Sequence, residues 1–166
     1  PNDFLLAVGH LERRKNYGRL VEALFHLRKK GFENTLVIVG NDSGEAIALR
    51  KKIDEYGLGA DVIILSNLTD QELRCIYKLA KIFVFPSRYE GFGIPILEAM
   101  AARLPMAMSD LPVFKKITQN QSAYFPFDDP LRMAEVIAEL IVNTQKRENQ
   151  IKYGINRILD FSFENI

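Results

Sequence analysis

Short apolar runs recur along this chain with helix-like segments between them, and that rhythm constrains the fold more than any other feature. "FLLAV" (Phe4 to Val8), "TLVIV" (Thr35 to Val39), "VIIL" (Val62 to Leu65), "IFVF" (Ile82 to Phe85) and "PMAM" (Pro105 to Met108) are the short apolar runs, with Thr35 as the one polar residue. A strand with one face in water alternates polar and apolar residues, so unbroken runs predict strands covered on both faces. The intervening segments have helical periodicity: "YGRLVEALFHLRKK" puts Leu20, Ala23, Leu24 and Leu27 on one face, and "EAIALRKKIDEYG" and "DQELRCIYKLAK" repeat the pattern. Later come a weak strand, "AYFPF", a helix "PLRMAEVIAELIVN" opened by Asp128, Asp129 and Pro130, and a basic-polar helix near "QKRENQIKYGINRIL". Alternating strands and helices with right-handed crossovers predict an α/β fold, a Rossmann-like three-layer α/β/α arrangement on a mainly parallel sheet. With 166 residues, 48% of them hydrophobic, the chain is expected to form a single domain over 1–166.

Charge and cysteine content exclude several classes. Lys and Arg total 22 against 21 acidic residues, so no broad basic field points to nucleic acid. Cys75 lies in an amphipathic helical segment and is expected to be a packed thiol; disulfides and zinc are not expected. No apolar run approaches the ~20 residues that span a bilayer, and no signal-peptide pattern opens the chain, which together predict a cytoplasmic protein. The basic helix around Lys146, Arg147, Lys152 and Arg157 is the candidate for contact with the inner face of a membrane, a solvated face being the alternative. The start at Pro1 and the end at "FSFENI" suggest a piece of a longer chain.

In parallel sheets ligands bind beyond the carboxyl ends of the strands. Two of the loops there are chemically unusual: "GHLERRKN" (Gly9 to Asn16) carries three consecutive cations, and "PSRYEGFGIP" (Pro86 to Pro95) joins Glu90 to a glycine turn that enters a helix containing Glu98. Gly91 and Gly93 would allow special backbone angles and close approach of a ligand to the main chain. Pro95 suits the first helical position, leaving the N–H groups of Phe92, Gly93 and Ile94 free for an anion, with Glu98 in the first turn. Carboxylates so near a phosphate are better placed to accept hydrogen bonds from hydroxyls. A diphosphate flanked by sugars fits, with Arg14 and Lys15 as its counter-charges. Neighbouring side chains diverge, so at most two of Arg13, Arg14 and Lys15 can face one ligand. His10 and His26 have no acid or cysteine at metal spacing.

"VGHLERRKN", "LVIVG", "VIILSNLTDQEL", "FVFPSRYEGFGIPILEAMAARLPMAMSDLPVF" and "AYFPFDDP", in this order, resemble the C-terminal, donor-binding domain of retaining GT-B glycosyltransferases of family GT4, the glycosyl transferases group 1. The resemblance runs from Phe4 to Phe163. It implies that Arg14 and Lys15 hold the donor diphosphate and that Glu90 contacts the donor sugar in an electrostatic or orienting role; these three are the expected catalytic groups. It further implies that Glu98 binds the ribose hydroxyls, that Gly9, Gly91, Phe92, Gly93 and Ile94 lie against phosphates and sugar, and that Asn67 and Leu68 line the base. The implied substrate is a GDP- or UDP-linked hexose, mannose first, passed to a saccharide or lipid-linked acceptor in polysaccharide assembly. No cofactor or metal is implied. An N-terminal acceptor domain is implied as partner, so that this half alone would not turn over, with the segment after "FSF" crossing back to it.

Four residues depart from the family pattern: His10 stands where many relatives carry Arg, Ser66 where Gly is frequent, and Lys115 and Lys116 where an acid is common. Rival readings are weaker. No G-x-G-x-x-G follows the first run, no G-x-x-x-x-G-K-[ST] is present, and no acids close the first strand as in a phosphoacceptor domain. A sugar-nucleotide 2-epimerase of the same architecture and a non-catalytic nucleotide-sugar binding module are the remaining alternatives.

Overall fold

The structure, a computed structural model, describes residues 3–161. Six parallel strands form one sheet in the order β3-β2-β1-β4-β5-β6. They are β1 (Phe4–Val8), β2 (Thr35–Val39), β3 (Val62–Leu65), β4 (Ile82–Phe85), β5 (Met106–Ser109) and β6 (Ala123–Phe125). Helices α1 (Tyr17–Lys29), α2 (Ala46–Glu55), α3 (Asp70–Leu79), α4 (Ile94–Ala101), α5 (Pro112–Thr118), α6 (Pro130–Val142) and α7 (Thr144–Arg157) cover it.

The apolar runs become buried strands because successive side chains point to opposite faces and both faces are covered. Leu5 and Ala7 of β1 face one layer with Leu36, Ile38 and Val84, against Leu20, Leu24 and Leu27 of α1 and Met133 and Ile137 of α6. Leu6 and Val8 face the other with Phe83, Phe85 and Met108, against Ile96 and Met100 of α4 and Phe114 of α5. The stripe anticipated on α1 is therefore the one that is buried.

Two expectations fail. β3 is the sheet edge and leaves Ile63 exposed, since nothing pairs beyond it; an apolar run does not distinguish an edge from a centre. Cys75 is exposed: α3 turns Leu73, Ile76 and Tyr77 inward, which leaves residue 75 on the opposite face. The "FSF" segment's continuation lies outside the described residues. Among those described, no helix is long and apolar enough to cross a membrane.

Candidate functional site

The strand order reverses between β1 and β4, whose forward crossovers lead to opposite sides of the sheet, and a crevice opens at their carboxyl ends. The cation loop leaves β1 there and the glutamate loop leaves β4. Arg13–Lys15 forms a single 3-10 turn, which separates Arg13 from the other two. Arg13 is exposed and lines a separate cavity beside α1 and α2. Arg14 and Lys15 instead converge on Glu90: Arg14 Nη1 lies 2.7 Å from Glu90 Oε2, and Lys15 Nζ lies 2.6 Å from Oε1. Ser87 Oγ donates to the same Oε1 at 2.9 Å.

This cluster is largely withdrawn from water. The side chains of Lys15 and Glu90 are 6% and 8% exposed, against 28% for Arg14, so Lys15 depends on its carboxylate partner. Its Nζ also sits 4.8 Å from the centre of the Phe85 ring. Burial works against the Arg14 charge, but hydrogen bonding to Glu90 and the charges of Glu90 and Glu12 outweigh it and hold the guanidinium above its ordinary value.

Backbone geometry keeps these groups in place. Gly9 has φ +143°, and a Cβ there would stand 2.7 Å from Lys15 Cε, so the lysine stem runs directly over the glycine. Tyr17 Oη donates to the Gly9 carbonyl at 2.9 Å. Asn16, left-handed at φ 62°, donates through Nδ2 to the carbonyls of Pro86 and Phe127 and accepts from Arg88 Nε. The Arg88 N–H donates to the Arg14 carbonyl at 2.8 Å, which joins the cation loop to the glutamate loop directly.

Beyond Glu90 the glycine turn enters α4 through Gly93, at φ 87°. A Cβ at Gly93 would press on Ile96 and Phe114 at 3.2 Å, so that position requires glycine on two grounds. Gly91 is different from expectation: its φ is not positive, and a Cβ would meet nothing within 4 Å. The N–H groups of Phe92, Gly93 and Ile94 find no acceptor among the described residues. α4 begins at Ile94, so Pro95 is its second residue and Glu98 its fifth. Glu98 therefore lies beyond the first turn, and its carboxylate is set by a side-chain contact: Tyr77 Oη donates to Oε2 at 2.6 Å.

Glu98 does not join the Glu90 cluster. It lines a groove of about 520 Å³ between α3 and α4, with Leu73 and Tyr77. Asn67 and Leu68 lie on a second cleft, at the ends of β1, β2 and β3, with Gly9, His10, Asn41 and Ser66; Leu73 borders both clefts. Asn67 is left-handed at φ 55°, and its N–H donates to Asn41 Oδ1 at 2.8 Å. Lys115, a departure from the family pattern, pairs with Asp110 and lies over the Tyr124 ring. Sequence reasoning missed Ser87, Asn16, Asn41 and Tyr77. Asn16 carried a signal, because asparagine tolerates left-handed backbone; Tyr77 read as one more apolar residue of a helix.

The family model of the glycosyl transferases group 1 matches residues 1–157. The chain belongs to that family. Among curated relatives, the serotype-specific mannosyltransferase WbdA of Escherichia coli is 30% identical over 91% of this chain and 19% of its own length. The O-antigen chain mannosyltransferase RfbU of Salmonella typhimurium is 30% identical over 99% of this chain and 44% of its own. This chain thus spans less than half of either glycosyltransferase. Among solved structures, the C-terminal domain of the group 1 glycosyl transferase LpcC from Francisella tularensis superimposes with a TM-score of 0.82 at 22% identity, covering 96% of this chain and 86% of that one. The six-stranded architecture is therefore that of a GT-B glycosyltransferase domain.

Proposed function

We propose that this chain is the donor-binding half of a retaining hexosyltransferase that uses a nucleoside diphosphate sugar, with mannose as the sugar. One observation carries the reading: at the strand-order reversal, Arg14 and Lys15 from one loop converge on Glu90 from another, beside backbone N–H groups that find no acceptor among the described residues. Positive charge concentrated next to a helix N-terminus suits a departing diphosphate. The mannosyltransferase relatives support the sugar.

As the sugar–phosphate bond breaks, negative charge grows on the diphosphate. Arg14, Lys15 and the N–H groups of Phe92, Gly93 and Ile94 stabilise it more in the transition state than in the ground state, which is what accelerates the step. Glu90 holds both cations before the donor arrives. A diphosphate carries more charge than one carboxylate and displaces it from Arg14, while Lys15, with three donor hydrogens, keeps a bond to each. The freed Glu90 oxygen then accepts from a hydroxyl of the sugar. Asn67 and Leu68 flank the base, and Glu98 takes the ribose. The acceptor, a saccharide or lipid-linked sugar, binds a companion domain across the cleft. These cations supply the charge that a divalent ion supplies elsewhere, so transfer is expected to survive chelation with EDTA.

Calorimetric titration of the intact protein with GDP, UDP, GDP-mannose and UDP-glucose tests the reading. Saturable binding of one nucleotide series, weakened by Lys15→Ala, is the expected result. No binding at millimolar ligand would overturn it.

A further inference from the structure

The groove between α3 and α4 contains one contact that the donor-site reading leaves unused. Tyr77 is 3% exposed, and its ring packs at 5.8 Å on Phe83, which in turn contacts Phe85. A buried phenol hydroxyl is unfavourable unless bonded, and phenylalanine would fill the same space without that penalty. The hydroxyl's hydrogen-bond partner is Glu98 Oε2. Glu98 Oε1 has no partner among the described residues.

We propose that Tyr77 is a positioning residue for Glu98: it holds one carboxylate oxygen so that the other is presented to the ribose diol of a nucleoside diphosphate. This rests on the donor-site reading above. A glutamate on a helix surface samples several rotamers, and fixing it before the ligand arrives removes that ordering loss from binding. The Tyr77 ring is immobilised by the aromatic core, so its hydroxyl is a stationary anchor. Burial, then the hydrogen bond to Glu98, raises the phenol's pKa, so Tyr77 remains a donor at any working pH. The same helix opens directly after Leu68, with Thr69 and Glu72 in a reciprocal capping box that fixes its first turn. One element thereby sets both the base cleft and the ribose carboxylate.

The test is Tyr77→Phe in the intact protein, which keeps the ring packing and is expected to leave the melting temperature near that of wild type. Affinities are measured for GDP, 2′-deoxy-GDP, UDP, 2′-deoxy-UDP and pyrophosphate. Wild type is expected to prefer the ribonucleotide of the accepted base, and Tyr77→Phe to weaken it on the order of tenfold while weakening the 2′-deoxy form less and leaving pyrophosphate unchanged. Glu98→Ala should abolish the same preference, and adding Tyr77→Phe to it should change nothing further, since both act through one contact. If Tyr77→Phe leaves the ribose preference intact, or weakens all ligands equally, the positioning role is overturned while the donor site stands. If wild type itself does not distinguish ribose from deoxyribose, the ribose role of Glu98 fails and this proposal fails with it.

Discussion

The two glutamates of the site are held in opposite ways. Glu90 is gripped by two cations and a hydroxyl in a nearly closed cluster, whereas Glu98 takes one hydrogen bond from a neutral phenol and faces an open groove. The first arrangement is electrostatic and answers to charge. The second is directional and answers to the placement of a hydroxyl. The two suit a single ligand charged at one end and hydroxylated at the other, as the nucleoside diphosphate proposed above is.

Lys15→Ala should separate the two ends most sharply. It removes a buried cation that donates a charge-assisted bond to the diphosphate, and binding of both pyrophosphate and nucleoside diphosphate is expected to fall about a hundredfold. It also leaves Glu90 with one cation fewer, so chemical denaturation should report a stability loss of about 2 kcal/mol. Glu98→Ala should weaken nucleoside diphosphate about tenfold and leave pyrophosphate untouched, as read by the same titrations. Equal losses for both ligands would erase the distinction between the ends. Gly9→Ala places a side chain at φ +143°, a backbone angle that alanine rarely adopts, and also pushes the Lys15 stem aside; a loss of about fivefold in pyrophosphate affinity is expected, together with a lower melting temperature.

Each end also contains a buried tyrosine, which allows a comparison by pH. Burial and the Glu90 charge raise the pKa of Tyr17, and burial and the Glu98 bond raise that of Tyr77, above the ordinary 10.0. Both phenols then stay protonated in the fold while the unfolded chain ionises. The stability they favour is complete below pH 10 and is lost as pH rises beyond it, by on the order of 1 kcal/mol per tyrosine between pH 10 and 11. Tyr17→Phe and Tyr77→Phe should each flatten the alkaline limb of a denaturation series.

Much of this was legible in the chain because its strongest signals are local. Five unbroken apolar runs and an α1 stripe place strands and helices without any knowledge of what they touch, and the sixth strand appeared as a weak run at "AYFPF". Sheet edges are not local, so an unbroken apolar run predicts cover on both faces for β3 as for the central strands. Arg14, Lys15 and Glu90 could be singled out by type and position, but their mutual pairing depends on which loops adjoin at the strand-order reversal. Cys75 and Tyr77 show the same limit from the other side: a two-residue offset on one helix puts the thiol in water and the phenol in the core. The placement of Glu98 depended on where α4 begins, and a left-handed Gly93 moves that start one residue earlier than Pro95 implied.

Asn16 has a consequence for engineering. Its side chain bridges carbonyls after β4 and after β6 while its own backbone closes the cation turn. Three surface segments distant in sequence are therefore one heritable part. A designer who grafts the Gly9 to Asn16 segment from a relative must keep an asparagine at its end, because that side chain ties the turn to the main-chain carbonyls of residues 86 and 127; a chimaera that loses it loses both bridges at once.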